Sequence, residues 1–209
     1  MIRNIVFDLG GVIMTICQDE AIKRFKSIGL KNVENYLNPY TQTDIFGDIE
    51  EGKISAEQFR EKLSELIGKE VTYEECKFAW LGYRQDVPLR NLDILRKLKA
   101  QGYKLILLSN TNPFMMSWGL SGEFDGNGNS LESYFDSLYL SYKLGVMKPN
   151  KKIFQYIIDN EKIQPGESLF IDDGERNINA ARLLGFKTLC PINGEDWTKE
   201  LIELLKNNN

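Results

Sequence analysis

The run Ile5-Val6-Phe7-Asp8-Leu9-Gly10-Gly11-Val12-Ile13 constrains the fold more than any other stretch of this chain. Apolar residues lead without interruption into one carboxylate, and two glycines follow at once. A strand with no polar alternation is a strand covered on both faces, and paired glycines at its carboxyl end make a tight turn. Parallel α/β sheets have both faces covered and build their sites at the carboxyl ends of their strands. Asp8 is therefore expected to face a crevice. Alone it carries little, because an Asp at a strand end also caps turns and helices.

The rest of the chain repeats the pattern. From Pro88 onward, helical and apolar-strand segments alternate: a helix over Leu89–Gln101 closed by Gly102, a strand over Tyr103–Leu108, a strand over Phe135–Leu140, a helix over Asn150–Asn160, a strand over Ser168–Ile171, a helix over Asn177–Leu184 closed by Gly185, and a short strand over Lys187–Cys190. This alternation predicts an α/β fold, a Rossmann-like parallel sheet with helices on both faces. Between the first strand and Pro88 the signals are helical. Residues 19–28 carry Ile22, Phe25 and Ile28 on one face. Ser55 and Gln58 fit a capping box ahead of Phe59, Leu63, Leu66 and Ile67, with Gly68 as the stop, and 72–80 gives one more helix. No convincing strand is read between 16 and 86. The expected organisation is a core of residues 1–15 and 87–209 with an α-helical cap, 16–86, inserted into it.

Composition closes off several chemistries. The 209 residues include no histidine, which excludes Ser-His-Asp triads, Cys-His dyads and His-ligated zinc. Cys17, Cys76 and Cys190 are far apart and lack CxxC spacing, so a disulfide framework is not expected and a reducing, cytoplasmic setting is. Met1 stands almost against the first strand, leaving no room for a signal peptide, and no apolar run approaches the roughly 20 residues that span a bilayer. With a net charge of −4 and dispersed Lys and Arg, neither nucleic acid nor an acidic membrane is an expected partner. A monomer or weak homodimer is expected.

Several predicted strands end in polar groups: Asp8, then Ser109-Asn110-Thr111-Asn112, then Asp172-Asp173, with Lys148 before Pro149 opening a helix. Neighbouring parallel strands end on the same rim, so these groups converge. Carboxylates around one ammonium suit a magnesium ion and a phosphate: magnesium takes hard oxygen ligands, Ser109 and nearby backbone N–H groups can hold phosphate oxygens, and Lys148 offsets charge.

In order and spacing, these pieces resemble the haloacid dehalogenase (HAD) superfamily of hydrolases, in the subgroup with a helical cap after the first strand. Phe7-Asp8-Leu9-Gly10-Gly11-Val12 is similar to its first motif, Leu108-Ser109-Asn110-Thr111-Asn112 to its second, Lys148-Pro149 to its third, and Phe170 to Asn177 followed by Ala180 to Gly185 to its fourth. The resemblance implies a phosphatase acting through an aspartyl-phosphate on Asp8, with Lys148 and Ser109 as further catalytic groups. It implies Mg2+ held by Asp8, the Gly10 backbone carbonyl, Asp172 and Asp173. The phosphoryl group would be held by Ser109, Asn110, Lys148 and the Gly11 backbone N–H. The implied substrate is a small phosphorylated metabolite, with sugar phosphates favoured.

One departure matters. Family phosphatases usually place a second Asp two residues after the nucleophile as general acid and base, a group worth about 10²–10⁴-fold. Here that position is Gly10. Three explanations stay open: a substrate whose leaving group needs less protonation, such as a sugar 1-phosphate; a proton from a cap residue such as Asp19 or Glu20; or a weak or inactive binding or regulatory protein. The Asp-Leu-Gly-x-Val pattern is shared with sugar-1-phosphate phosphatases of the family, which favours activity. Metal-free 2-haloacid dehalogenation is the rival chemistry, and paired Asp172 and Asp173 suit it poorly.

In the cap, Tyr36, Tyr40, Phe46, Phe78, Trp80 and Tyr83 are pocket candidates, although aromatics at helical spacing are more often core. Glu50, Glu51 and Lys53 read as a solvated connection. The Gly- and Asn-rich stretch 119–130 reads as a surface loop. Asp125, Asn127, Asn129 and Asp136 fall at calcium-loop positions, but Ser130 stands where such a loop needs glycine.

Overall fold

Burying a strand on both faces needs two apolar layers, and this chain supplies both. The computed structural model describes residues 1–37 and 42–208. In chain order the elements are β1 (Asn4–Phe7), β2 (Thr15–Ile16), α1 (Gln18–Ser27), α2 (Asp44–Glu50), α3 (Ala56–Ile67), α4 (Tyr73–Trp80), β3 (Arg84–Asp86), α5 (Leu89–Ala100), β4 (Lys104–Ser109), α6 (Pro113–Gly119), β5 (Ser137–Leu140), α7 (Ser141–Leu144), α8 (Lys151–Glu161), β6 (Ser168–Ile171), α9 (Glu175–Leu183), β7 (Lys187–Leu189) and α10 (Thr198–Asn207).

Five strands form one parallel sheet in the order β5-β4-β1-β6-β7. Side chains alternate across it, as the pleat requires. Ile5, Phe7, Leu105, Leu107, Leu169 and Ile171 join the core layer that continues into the helical segment. Val6, Ile106, Leu108 and Phe170 pack on the other side against Ile153, Phe154 and Ile157 of α8 and Ile178 and Ala181 of α9. β1 is the central strand, with Phe7 level with Leu107 of β4 and Ile171 of β6. Asp8 and Asp172 therefore emerge level with each other at one rim, and Ser109 follows one residue further along β4. Among the described residues, no helix is long and apolar enough to cross a membrane.

The segment between β1 and α5 is helical apart from a correction at its ends. Thr15–Ile16 pairs antiparallel with Arg84–Asp86. The two strands are only two and three residues long, too short for a period-two pattern to show in the sequence, and tertiary pairing alone forms them. The Ser55 capping box is present: its hydroxyl accepts from the Gln58 N–H while the Gln58 side chain accepts from the Ser55 N–H. Phe25, Phe46, Phe59 and Trp80 fill the core of this segment, with ring centroids 5.0–5.8 Å apart.

Two contacts tie the segment to the sheet side. The Ser141 Oγ lies 2.6 Å from the Glu50 carbonyl oxygen. Gly52, at φ +72°, lies so close to Tyr142 that a Cβ would stand 2.1 Å from its carbonyl oxygen. Only glycine permits that backbone angle and that approach together.

Candidate active site

Lys148 organises the rim. Its side chain is 1% exposed, and its Nζ lies 2.9 Å from Asp8 Oδ1 and 2.6 Å from Asp172 Oδ2. The third donor position goes to the Leu108 carbonyl oxygen at 2.9 Å. Asp172 is fully buried and held from all sides. Its Oδ1 accepts from the Gly174 N–H at 2.8 Å, and the Asn177 amide donates to both oxygens at 2.9 and 3.1 Å. Asp8 Oδ1 also accepts from the Leu9 N–H at 2.7 Å.

Asp8, Asp172 and Asp173 offer carboxylate oxygens that all lie within 4.8 Å of one another. Three carboxyls share one ammonium, and the imbalance shows in their proton affinities. Burial holds the Asp8 carboxyl well above the ordinary carboxylate range; Lys148 pulls it back, and Asp172 and Asp173 push it up again. Burial and the neighbouring Asp172 push Asp173 up to about 6. Crowded oxygen donors with a deficit of positive charge suit a divalent cation. Gly11 makes the crowding possible. It sits at φ +73°, and a Cβ there would lie 2.1 Å from Asp173 Oδ2.

These shifts have a measurable consequence. A carboxyl with a folded pKa above its unfolded value binds more protons folded than unfolded between the two, so stability falls as pH rises through that window. Asp8, Asp173 and Glu50, which burial pushes up to about 8, all shift this way. Carboxylates held low by surface partners have finished titrating below about pH 5. In chelating buffer the thermal midpoint should therefore decline between about pH 5 and pH 8, and Asp8→Asn should flatten part of the slope. A midpoint that climbs across this range would contradict the placement of these carboxyls.

The rim opens into a cavity of about 730 Å³ lined on the sheet side by Asp8, Gly10, Ser109, Asn110, Thr111, Lys148 and Asp173. One expected role is corrected by a hydrogen bond, and in a second residue only the backbone N–H is left for it. The Gly11 N–H donates to the Met14 carbonyl oxygen at 2.8 Å, closing the turn after β1, and so is not presented to a phosphate. The Asn110 side chain is spent on Lys148: its Nδ2 donates to the Lys148 carbonyl at 3.0 Å and its Oδ1 accepts from the Lys148 N–H at 2.8 Å. Asn110 positions Lys148 through its backbone. Ser109, 2% exposed, lines the cavity with only a 3.3 Å bond from its Oγ to the Asn110 carbonyl.

The helical segment supplies the facing wall: Ile16, Gln42, Glu50, Glu51, Trp80 and Tyr83. Glu50 and Glu51 stand in this wall, which corrects their expected place in a solvated connection. A signal existed, since Glu50 is four residues past the fully buried Phe46 and so shares its inward face. Of the aromatic candidates, Trp80 and Tyr83 reach the cavity. Phe46 is core, Tyr36 packs on it, and Phe78 is 49% exposed beneath Arg24; Tyr40 lies outside the described residues. Neither Asp19 nor Glu20 lines the cavity, and Glu20 pairs with Arg24 at 2.8 Å. In the 119–130 loop, the Asp125 carboxylate accepts from the Asn127 and Asn129 N–H groups, the Asn129 side chain and the Tyr134 hydroxyl. Asp125 thus builds the loop itself, as a surface-loop reading requires.

The model of the haloacid dehalogenase-like hydrolases matches residues 2–185. A D-ribitol-5-phosphate phosphatase of Bacteroides thetaiotaomicron is 49% identical over 205 residues, 98% of this chain and 99% of that one. A HAD-like family hydrolase structure from Porphyromonas gingivalis superposes with a TM-score of 0.94 at 44% identity, covering 99% of this chain and 98% of that one. A HAD family enzyme from B. thetaiotaomicron, solved in complex with magnesium and inorganic phosphate, gives a TM-score of 0.87 at 35% identity over 96% and 99%.

Proposed function

The chain belongs to the haloacid dehalogenase-like hydrolase family, and on that premise we propose that it is a magnesium-dependent phosphatase of a small polyhydroxylated phosphate ester. The observation that carries this reading is the set of three carboxyls around Lys148 at the mouth of the cavity. The two Bacteroides relatives support it: one is a D-ribitol-5-phosphate phosphatase and the other binds magnesium and phosphate. Residues 16–86 serve as the cap over a core of 1–15 and 87–209.

In this reading, Asp8 attacks phosphorus, the bond to the ester oxygen breaks with its electron pair leaving on that oxygen, and a phosphoryl group remains on the Asp8 carboxylate. Water then attacks phosphorus, the acyl phosphate bond breaks, and Asp8 is regenerated with inorganic phosphate released. Splitting the reaction this way replaces one hard displacement by two easier ones. Lys148 and the Ser109 hydroxyl stabilise charge on the transferring group. Asn110 and Asn177 act as positioning residues, one holding the Lys148 backbone and the other the Asp172 carboxylate. Asp8, the Gly10 carbonyl, Asp172 and Asp173 would hold magnesium, whose charge neutralises phosphate oxygens and relieves the crowding of these carboxyls.

Hydrolysis of an aryl phosphate should require magnesium and stop in excess chelator, while 2-haloacids should be left intact. Activity unchanged by chelator, or dehalogenation without phosphate release, would overturn the proposal.

Gly10 yields a second expectation. Without an acid there, the departing oxygen carries more negative charge in the transition state, so rates should fall steeply as leaving-group pKa rises. Position 10 has an ordinary φ, and an added Cβ would stand 3.2 Å from Ile16 Cγ2 and 4.0 Å from Met14 Cε, so the side chain fits if Ile16 gives by a few tenths of an ångström. Gly10→Asp should therefore raise kcat on primary alkyl phosphates relative to aryl phosphates by about tenfold or more. Wild-type rates that are flat across leaving-group pKa, with chemistry rate-limiting, would show that another group supplies the proton.

A further inference from the structure

We propose that Glu50 and Tyr83, with Asn112 positioning the Glu50 carboxyl from behind, form a hydroxyl-binding subsite that selects phosphate esters by the hydroxyl groups along their carbon chain. The subsite rests on the phosphatase reading and identifies what holds the leaving group's body.

Glu50 is anchored rather than free. It ends α2, its backbone carbonyl meets Ser141 Oγ at 2.6 Å, and the close approach of Gly52 to Tyr142 fixes the chain two residues on. Its side chain lines the cavity on the wall contributed by the helical segment, whereas Lys148 and Asp8 lie on the sheet-side wall. Asn112 comes from the sheet side and is fully buried. Its Oδ1 caps α6 by accepting from the Phe114 and Met115 N–H groups at 3.1 Å. Among the described residues its Nδ2 has no hydrogen bond of good geometry, yet the Asn112 amide is near enough to Glu50 to favour the ionised carboxylate. A buried amide donor left in this way costs about 1–3 kcal/mol unless something accepts from it. Tyr83 lines the same wall, and its hydroxyl accepts from Gln42 Nε2 at 3.3 Å.

The chemistry of this group is that of a polyol reader. Burial outweighs the Asn112 amide and pushes Glu50 up to about 8. That shift favours the neutral acid, which offers one O–H donor and carbonyl acceptors. Such a group pairs with hydroxyls, which both donate and accept, and it does not repel a phosphate dianion bound at Lys148. A permanently ionised carboxylate would do the reverse.

The test compares ribitol 5-phosphate with n-pentyl phosphate, which share chain length and a primary leaving oxygen and differ in hydroxyls. In magnesium, wild-type kcat/KM should favour ribitol 5-phosphate by at least about 100-fold, because a site built to bind hydroxyls rejects the analogue lacking them. Glu50→Leu should shrink that ratio by at least about tenfold, mainly through KM for the polyol ester, and Glu50→Gln, which copies the neutral acid, should keep it within about threefold. Tyr83→Phe should shrink it by about threefold or more. It removes only one oxygen, and it decides the matter if Glu50→Leu does not fold. An unchanged ratio in the folded variants overturns the subsite. Equal loss in Glu50→Leu and Glu50→Gln overturns its neutral, hydroxyl-reading character. If the wild-type protein releases phosphate from neither ester nor from an aryl phosphate, the phosphatase reading itself has failed, an outcome distinct from either.

Discussion

Asp8→Asn is expected to cut turnover of every phosphate ester by at least about 10⁴-fold, because no covalent route exists without the nucleophile. The same variant should be more stable than the wild type in chelating buffer. Asp8 lies among Asp172 and Asp173 with only Lys148 to balance them, and burial already disfavours its charge. An amide at this position removes one of the competing charges while leaving the Lys148–Asp172 pair at 2.6 Å in place. The gain should be of the order of 1 kcal/mol, a rise of roughly 2–4 °C in thermal midpoint for a domain of this size. Steady-state kinetics and thermal melts on the same preparations check both halves. A variant that retains near-normal kcat removes Asp8 from the mechanism, and one that melts well below the wild type contradicts the electrostatic account.

Lys148→Ala should lose on both counts. Its ammonium bridges Asp8, Asp172 and the Leu108 carbonyl from a side chain only 1% exposed. Breaking a buried pair by removing one partner leaves an uncompensated charge, and the cost is about 3 kcal/mol. Asp172 would keep Asn177 and the Gly174 N–H but no cation. The transferring phosphoryl group would lose its fixed positive charge as well, worth about 10³-fold in kcat. Denaturant melts at neutral pH alongside single-substrate kinetics would show the paired loss. Stability unchanged from wild type would mean that the ion pairs are not formed in solution.

The residues that were legible in the sequence are those whose role is fixed by local pattern. Ile5, Val6 and Phe7 are apolar on successive faces because β1 is covered on both sides, and Asp8 breaks the run where the strand meets the crevice. Ser55 and Gln58 announce α3 because both halves of a capping box lie within one turn. Hidden features depend on partners distant in sequence. Thr15–Ile16 and Arg84–Asp86 form strands only because they meet each other across some seventy residues. The Asn110 side chain is committed to Lys148, 38 positions away, and the Gly11 N–H to a turn whose closure a motif does not reveal. Glu50 read as solvent-facing because charge is normally exposed. Its inward place follows from the docking of α2 against Ser141 and Tyr142, a tertiary contact that overrides residue type.

The central claim is that a phosphoryl group passes through Asp8. Rapid acid quench of the wild-type protein mixed with magnesium and ribitol 5-phosphate, followed by peptide mass spectrometry, tests it most directly. The predicted result is a transient, hydroxylamine-labile phosphoryl adduct on the peptide containing Asp8. It should form faster than steady-state turnover and be absent from Asp8→Asn. Phosphate release at full rate with no adduct at any quench time, or an adduct on a peptide without Asp8, would contradict it.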